Sequence, residues 1–563
     1  MERVKSRRWL ATLLTAVTVA LTLSAATTDG QVPTGNTYRV INEVDTVWNF
    51  GIKGINLYSR GVHRIDIAYP SKDAQGTPVE LSGCVVIPAD LYNGEQPVDG
   101  ILLYNHFTQL SYDGAPTRGN AEGEDYLIAN PLRPNYIVVE SDFYGFGITE
   151  GHRQYFCYGT ANGQASIDCL LAARRLLDDR GISQGRLLLN AGYSAGGYDA
   201  IGAQKVRDMY YSDQIRFDKT LVGDCPFDMD KAYSTIIDEK DDTALRLYGV
   251  LMALDSYNIH GNLGLDLKSM MNEPLASNFD EWLHSGKYTT ETLKETLKDM
   301  SASQLLKDTL LNYKSPVVKM LKEAMKSVAL VEGWTPDKDQ NYFVFSLFRD
   351  NTVPVGSCRA FINYLSNYYY DDLKDKNPLF KKSIIPEQTH LQTNFFINSS
   401  DHLTLGSIVF YLNLVATMAA MPVLYYDGEL NTHYADLVAD FTPMGIIKKL
   451  EASGIDVKRI VKEQLSGEGS SGGLFGLIAS LDEKLAPLNL TSADVLQIAD
   501  DSGLSLIDII QIYQYLTTDD DSAAAARGAT ATEQKAIPGT PDYYLNYLHN
   551  WLKENKVNIY DGR

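Results

Sequence analysis

Residues 186–200 read RLLLNAGYSAGGYDA, and no other stretch of the chain restricts its fold as much. Leu187, Leu188 and Leu189 form the short apolar run of a fully buried strand. The run stops at one hydroxyl, Ser194, set among Gly192, Ala195, Gly196 and Gly197. Beyond it, Ala200, Ile201, Ala203 and Val206 fall on helical spacing. Strand, sharp turn and helix are therefore expected, with Ser194 on the turn. Such a turn forces strained backbone angles on the serine. Glycine at 192 and 196 lets strand and helix approach without a Cβ clash. Small residues after a strand also mark ordinary turns, but here motif and context agree. They point to a serine held exposed at the C-terminal edge of a sheet, above a helix N-terminus.

The flanking chain supplies the sheet. HRIDIAYP, VELSGCVVIP, DGILLYNHF and NYIVVESDF read as successive strands bounded by Pro, Gly, Asp or Asn. The last two are near-continuous apolar runs, as inside a parallel sheet covered on both faces. ANGQASIDCLLAARRLLDDRG reads as an amphipathic helix ending at Gly181, and LVGD and YFVFSLFRD as two later strands. Alternation of strand and helix implies a doubly wound, mostly parallel sheet within residues 37–440. Residues 228–338 break that rhythm with Leu-, Met- and Lys-rich helical segments. An insertion of this size between consecutive strands is expected to cap the sheet's C-terminal edge, with Leu251, Met252, Leu254, Met270 and Met271 as candidate lining of a binding pocket. Its bland alternative is a structural helical subdomain.

The first 26 residues carry Arg3, Lys5, Arg7 and Arg8, an apolar run from Leu10 to Leu23, then Ser24, Ala25 and Ala26. That is the pattern of a secretory signal peptide cut near Ala26, and its apolar run is shorter than the ~20 residues a bilayer requires. The run from Ile408 to Leu424 contains Tyr411 and Asn413 and reads as a buried helix. An exported location follows, periplasmic, cell-surface or extracellular, with no integral membrane segment after processing. The chain of 563 residues has a net charge of −21. Losing residues 1–26 removes four basic groups and one acid and leaves −24. Such a charge repels nucleic acid and anionic surfaces. Five scattered cysteines, with no CxxC spacing, signal neither a zinc site nor a disulfide framework. Residues 441–518 suggest two helical hairpins, 519–534 a linker and 535–563 a closing amphipathic helix.

A serine hydroxyl is a poor nucleophile near neutral pH and requires a base and a group that orients the base. Of nine histidines, His402 lies in a polar loop just before a long apolar helix, in NSSDHLTLG. That setting suits a base better than those of His390 and His433, into which no strand is expected to lead. His63, His106 and His152 precede the serine, and His260 and His284 lie in the insertion; His549 is in the final helix. The acid is expected after a late strand. Asp350, in FVFSLFRDNTVPV, meets that requirement; Asp224, one strand earlier, is the alternative, and Asp401 reads as a solvated loop residue. Charge developing on a carbonyl oxygen calls for preorganised N–H donors. The backbone of Ala195 is one candidate, and Phe107 or Thr108 the second, with His106 as a loop-shaping residue.

Together YNHFT, SDFYGFG, GYSAGG, RDNTVPV and DHLTLG resemble the α/β-hydrolase superfamily over about residues 60–430. The likeness is to its exported lipase/esterase-type and prolyl-oligopeptidase-like branches with a large helical lid insertion. The resemblance implies an α/β-hydrolase fold with an appended C-terminal helical region. It also implies cleavage of a small-molecule carboxylic ester through an acyl-enzyme, with no metal or organic cofactor. Where many members carry His-Gly, this chain has His106-Phe107. The alternatives are a peptidase using the same groups on an amide, and a surface binding protein on a hydrolase fold without catalysis.

Overall fold

The centre of the molecule is a run of strands whose every residue is buried. The computed structural model describes residues 37–424, apart from 53–54, 120–124, 131, 241–243, 338, 348, 375–390, 395–401 and 403–405. Segments 1–26, 441–518, 519–534 and 535–563, together with His390, Asp401, His433 and His549, lie outside the described residues. Among the described residues nine strands form one sheet: β1 Arg39–Ile52, β2 Ile55–Lys72, β3 Pro78–Pro88, β4 Gly100–Asn105, β5 Tyr136–Ser141, β6 Leu187–Tyr193, β7 Lys219–Gly223, β8 Tyr342–Phe345 and β9 Leu391–Asn394. Their order is β1-β2-β3-β5-β4-β6-β7-β8-β9. The pairs from β1 to β5 are antiparallel, and those from β5 through β9 are parallel.

The apolar runs follow from cover on both faces. In β4, Ile101 and Leu103 pack with helix α1 (Ala161–Asp179), through Ile167, Leu170 and Leu177. Leu102 and Tyr104 turn to the opposite face and pack with Phe410, Leu414 and Met418 of a later helix (Ser407–Leu424). Successive side chains of a strand point to opposite faces, so a strand with two greasy faces has no room for alternation. Each such side chain, fully buried, is worth about 1.5–3 kcal/mol. β1 is different: residues 41–47 are exposed and include Asn42, Glu43 and Asp45. Charges on an edge strand discourage pairing with another chain.

After β6 comes α2 (Ala195–Tyr210), and between β7 and β8 the chain is helical: α3 Met229–Asp238, α4 Ala244–His260, α5 Leu275–His284, α6 Thr290–Leu297 and α7 Pro316–Ser327, with single helical turns between. Asp228 caps α3 by accepting the Lys231 N–H, Thr289 and Thr292 form a capping box on α6, and Ser315 caps α7 ahead of Pro316. α8 (Val355–Lys374) follows β8, and α9 is Ser407–Leu424. Among the described residues no helix is long and apolar enough to cross a membrane. The five cysteines are all buried free thiols.

One strand, β9, is absent from the strands expected from the sequence. It begins just after His390 and pairs in parallel with β8. LQTN has a single apolar residue, so only the backbone ladder offered by β8 makes it a strand.

Candidate active site

Ser194 sits between β6 and α2 with φ 56° and ψ −125°, a left-handed conformation rarely adopted by a side-chain-bearing residue. Its own N–H is held by the Gly223 carbonyl of β7 at 2.7 Å. The neighbouring glycines are required by space: a methyl on Gly192 would overlap the Gly196 carbonyl, and one on Gly196 the Asn105 carbonyl of β4. Strain at this turn is the cost of presenting the hydroxyl.

His402 Nε2 lies 2.9 Å from Ser194 Oγ, and His402 Nδ1 lies 2.5 Å from Asp350 Oδ2. All three are buried, with Ser194 7%, Asp350 2% and His402 1% exposed. Asp350 follows β8, and its Oδ1 accepts the N–H groups of Thr352 at 2.6 Å and Val353 at 2.7 Å. The tight loop after β8 therefore fixes the carboxylate before the imidazole meets it. With Oδ2 facing Nδ1, the ring proton resides on Nδ1 and Nε2 is left as an acceptor towards the serine. Burial pulls the His402 pKa down; the charge and hydrogen bond of Asp350 outweigh it and hold the ring above its ordinary value.

The structure brings three expected residues together and separates others. Thr108 and Ala195 line the same cleft as Ser194, whereas Phe107 lines an adjoining cavity with Ala195. Phe107 is not among the residues with left-handed backbone, so the missing glycine imposes no strain there. His106 is buried, its Nδ1 2.8 Å from the Phe107 carbonyl and its Nε2 3.4 Å from that of Asp142. Burial pushes its pKa down. His63 lies between Glu43 and Asp45 on the far edge of the sheet.

From the helical segment, the cleft is lined by Met229, Ala232, Tyr248, Gly249 and Val250. This corrects the candidate lining. Leu251, Met252, Leu254 and Met271 are buried in an apolar cluster shared with Tyr248, Val250 and the sheet residues Val222 and Val344, and Met270 packs against it; none of these five lines the cleft. On a helix, one residue of offset turns a side chain by about 100°, enough to move it from cleft to core. The sequence also passed over Arg246 and Lys294, because charged residues on a helix usually face solvent. Arg246 Nη2 donates to the Asp350 carbonyl at 3.1 Å, and Lys294 Nζ to Thr352 Oγ1 at 3.2 Å.

Asp224, the alternative acid, is fully buried at the end of β7. With Asp350 and His402 it makes a group whose potential ligand atoms lie within 4.8 Å of one another. Both His402 nitrogens are already engaged, by Ser194 and Asp350.

A mostly parallel sheet, a strained serine after β6, the fourth strand in spatial order from β3, and helices on both faces decide the architecture. The fold is that of the α/β-hydrolases. Among solved structures, a Legionella pneumophila protein provisionally described as a hydrolase superposes with a TM-score of 0.53 at 16% identity, covering 70% of this chain and 99% of its own. LipA of Xanthomonas oryzae, described as a rice cell wall degrading esterase, gives 0.52 at 16% identity, covering 69% and 98%. No family model matches the sequence, and no curated protein does. At this identity the likeness is one of fold.

Proposed function

We propose that this α/β-hydrolase-fold protein is an exported serine hydrolase that cleaves carboxylic esters through an acyl-enzyme. The observation that carries the reading is the line Ser194–His402–Asp350, with contacts of 2.9 and 2.5 Å at a strained, buried serine. In this reading Ser194 Oγ attacks the ester carbonyl carbon while His402 Nε2 takes the hydroxyl proton. The carbonyl π pair moves onto oxygen, where the Ala195 N–H, and that of Thr108 beside it, offset the developing charge. As the tetrahedral carbon collapses, the bond to the alcohol oxygen breaks and His402 returns the proton to that oxygen. Water then repeats the cycle on the acyl group and frees Ser194. Asp350 keeps the ring in the productive tautomer and stabilises the imidazolium that forms in between.

The fold shared with LipA, an esterase by description, supports the ester substrate class, and the basic, apolar and small-residue pattern of residues 1–26 supports export. A fluorophosphonate probe should label Ser194 and leave Ser194→Ala unlabelled. A panel of p-nitrophenyl esters and aminoacyl amides then separates esterase from peptidase. Turnover of amides alone would overturn the ester assignment. An unlabelled wild-type protein that turns over neither panel would favour a binding role on this fold.

A further inference from the structure

The protons around Asp224 do not balance if that residue is a carboxylate. Tyr193 Oη lies 2.6 Å from the His402 carbonyl oxygen and 2.9 Å from Asp224 Oδ2. A carbonyl only accepts, and a phenol has one proton. That proton goes to the shorter contact, and Tyr193 Oη is left to accept. The contact with Asp224 then needs a hydrogen of its own, and Oδ2 is the atom that can carry it. Asp224 Oδ1 accepts the Leu347 N–H at 2.6 Å, so one oxygen accepts and the other donates, as in a carboxylic acid.

Neighbouring groups point the same way. Asp350 faces three N–H groups, those of Thr352 and Val353 at Oδ1 and that of His402 at Oδ2, a set that suits a carboxylate. A second anion within 4.8 Å, equally buried, is opposed by like-charge repulsion and desolvation. The ionisable groups facing Asp224 are Tyr193 and Cys225 beside it, Asp350 after β8, Cys358 on α8 and His402 before α9, with the charge of Lys294 on α6 also felt at His402. Burial, then the charge of Asp350, pushes the Asp224 carboxyl far up from the carboxylate range; His402 and the hydrogen bonds only partly oppose this. Asp224 also holds a left-handed backbone, φ 46°. Strain of that kind persists where the surroundings fix a side chain in place.

We infer that Asp224 is a neutral acid and a positioning residue, its proton running through Tyr193 Oη to the main-chain carbonyl of His402 and pinning the base. The inference rests on His402 being the base of the proposed reaction. Of two adjacent carboxyls, one charged and one protonated, each has a different task. Asp350 sets the tautomer of the ring; Asp224 sets where the ring's backbone stands. Keeping Asp224 uncharged also leaves His402 free to give up its proton between turnovers, which a second carboxylate would hinder.

Asp224→Asn tests this, because an amide can accept from Leu347 and donate to Tyr193 in the same places. Expected are ester turnover within about tenfold of wild type and an unchanged acid-limb midpoint, since no charge is lost. Stability gives a readout independent of catalysis. An unfolded aspartate releases its proton near pH 4; a folded one that keeps it loses stability as pH rises from there towards its raised value. The melting temperature of Asp224→Asn relative to wild type should therefore climb between about pH 4 and 7. Tyr193→Phe, which breaks the relay but leaves the carboxyl in place, should lower kcat with KM little changed. A loss of about 10³-fold or more in Asp224→Asn, a downward shift of its acid limb, or a stability difference that falls with pH would each overturn the inference. Absence of activity in wild type would overturn the proposed function instead and leave the melting series to decide the protonation state.

Discussion

Asp350→Asn isolates the tautomer argument in a single atom. In the wild-type protein Asp350 Oδ2 receives the His402 Nδ1 proton at 2.5 Å, while Oδ1 is occupied by Thr352 and Val353. Asparagine is close to isosteric, and its oxygen keeps the two backbone donors. Its NH2 group must then occupy the place of Oδ2. That group donates, so Nδ1 has to become an acceptor and the ring proton moves to Nε2, facing Ser194 Oγ 2.9 Å away. A ring protonated on that side cannot take the serine proton. The change of tautomer in such an arrangement lowers kcat by about 10⁴-fold, equivalent to about 5 kcal/mol at 1.36 kcal/mol per decade. Steady-state hydrolysis of a p-nitrophenyl ester measures it, with fluorophosphonate labelling as a second readout and a melting curve to show that the fold survives. A loss smaller than about tenfold would refute the reasoning. Asp224, whose carboxyl lies within 4.8 Å of the cluster, would then be the acid that orients His402.

Three further outcomes are expected. Ser194→Ala and His402→Ala should each reduce kcat by several orders of magnitude and the double variant by little more, because members of one proton path act as a unit; additive losses would contradict a shared step. The rate should rise with pH through a midpoint above the ordinary imidazole value of about 6.5, since only neutral His402 accepts a proton. The same raised pKa contributes stability that is present below that value and lost as pH climbs through the folded one, which a pH series of melting temperatures reads. Finally, Tyr248→Ala at the cleft should shift the preference between short and long acyl chains by roughly 1–3 kcal/mol per methylene-sized change. Leu251→Ala, in the neighbouring core, should cost about 2–5 kcal/mol of stability and leave that preference alone; the reverse pattern would restore the original choice of lining residues.

Much of the architecture follows from local features of the chain. The apolar runs GILLYN and LLLNAGY call for cover on two faces, and the small residues around Ser194, between a strand and a helix, point to a tight turn there. Periodicity likewise placed α1 and α2, and a long apolar run placed α9. Ser194, Asp350 and His402 could be named as a set because each follows or precedes an element with a legible pattern. Distances among them could not. LQTN becomes β9 only because β8 offers a ladder, and no property of those four residues demands it. Which side of α4 faces the cleft depends on how the helices of the insertion pack on one another, so Tyr248 and Val250 reach the site and Leu251 and Met252 do not. Asp224 is the clearest case. In sequence it is one more acid after a strand. Its partners, Tyr193, Leu347 with Asp350, and His402, come from three separate stretches of chain and meet only when the sheet has assembled. Local sequence determines which residues form elements and turns; the charge a buried group carries is set by neighbours that only tertiary packing selects.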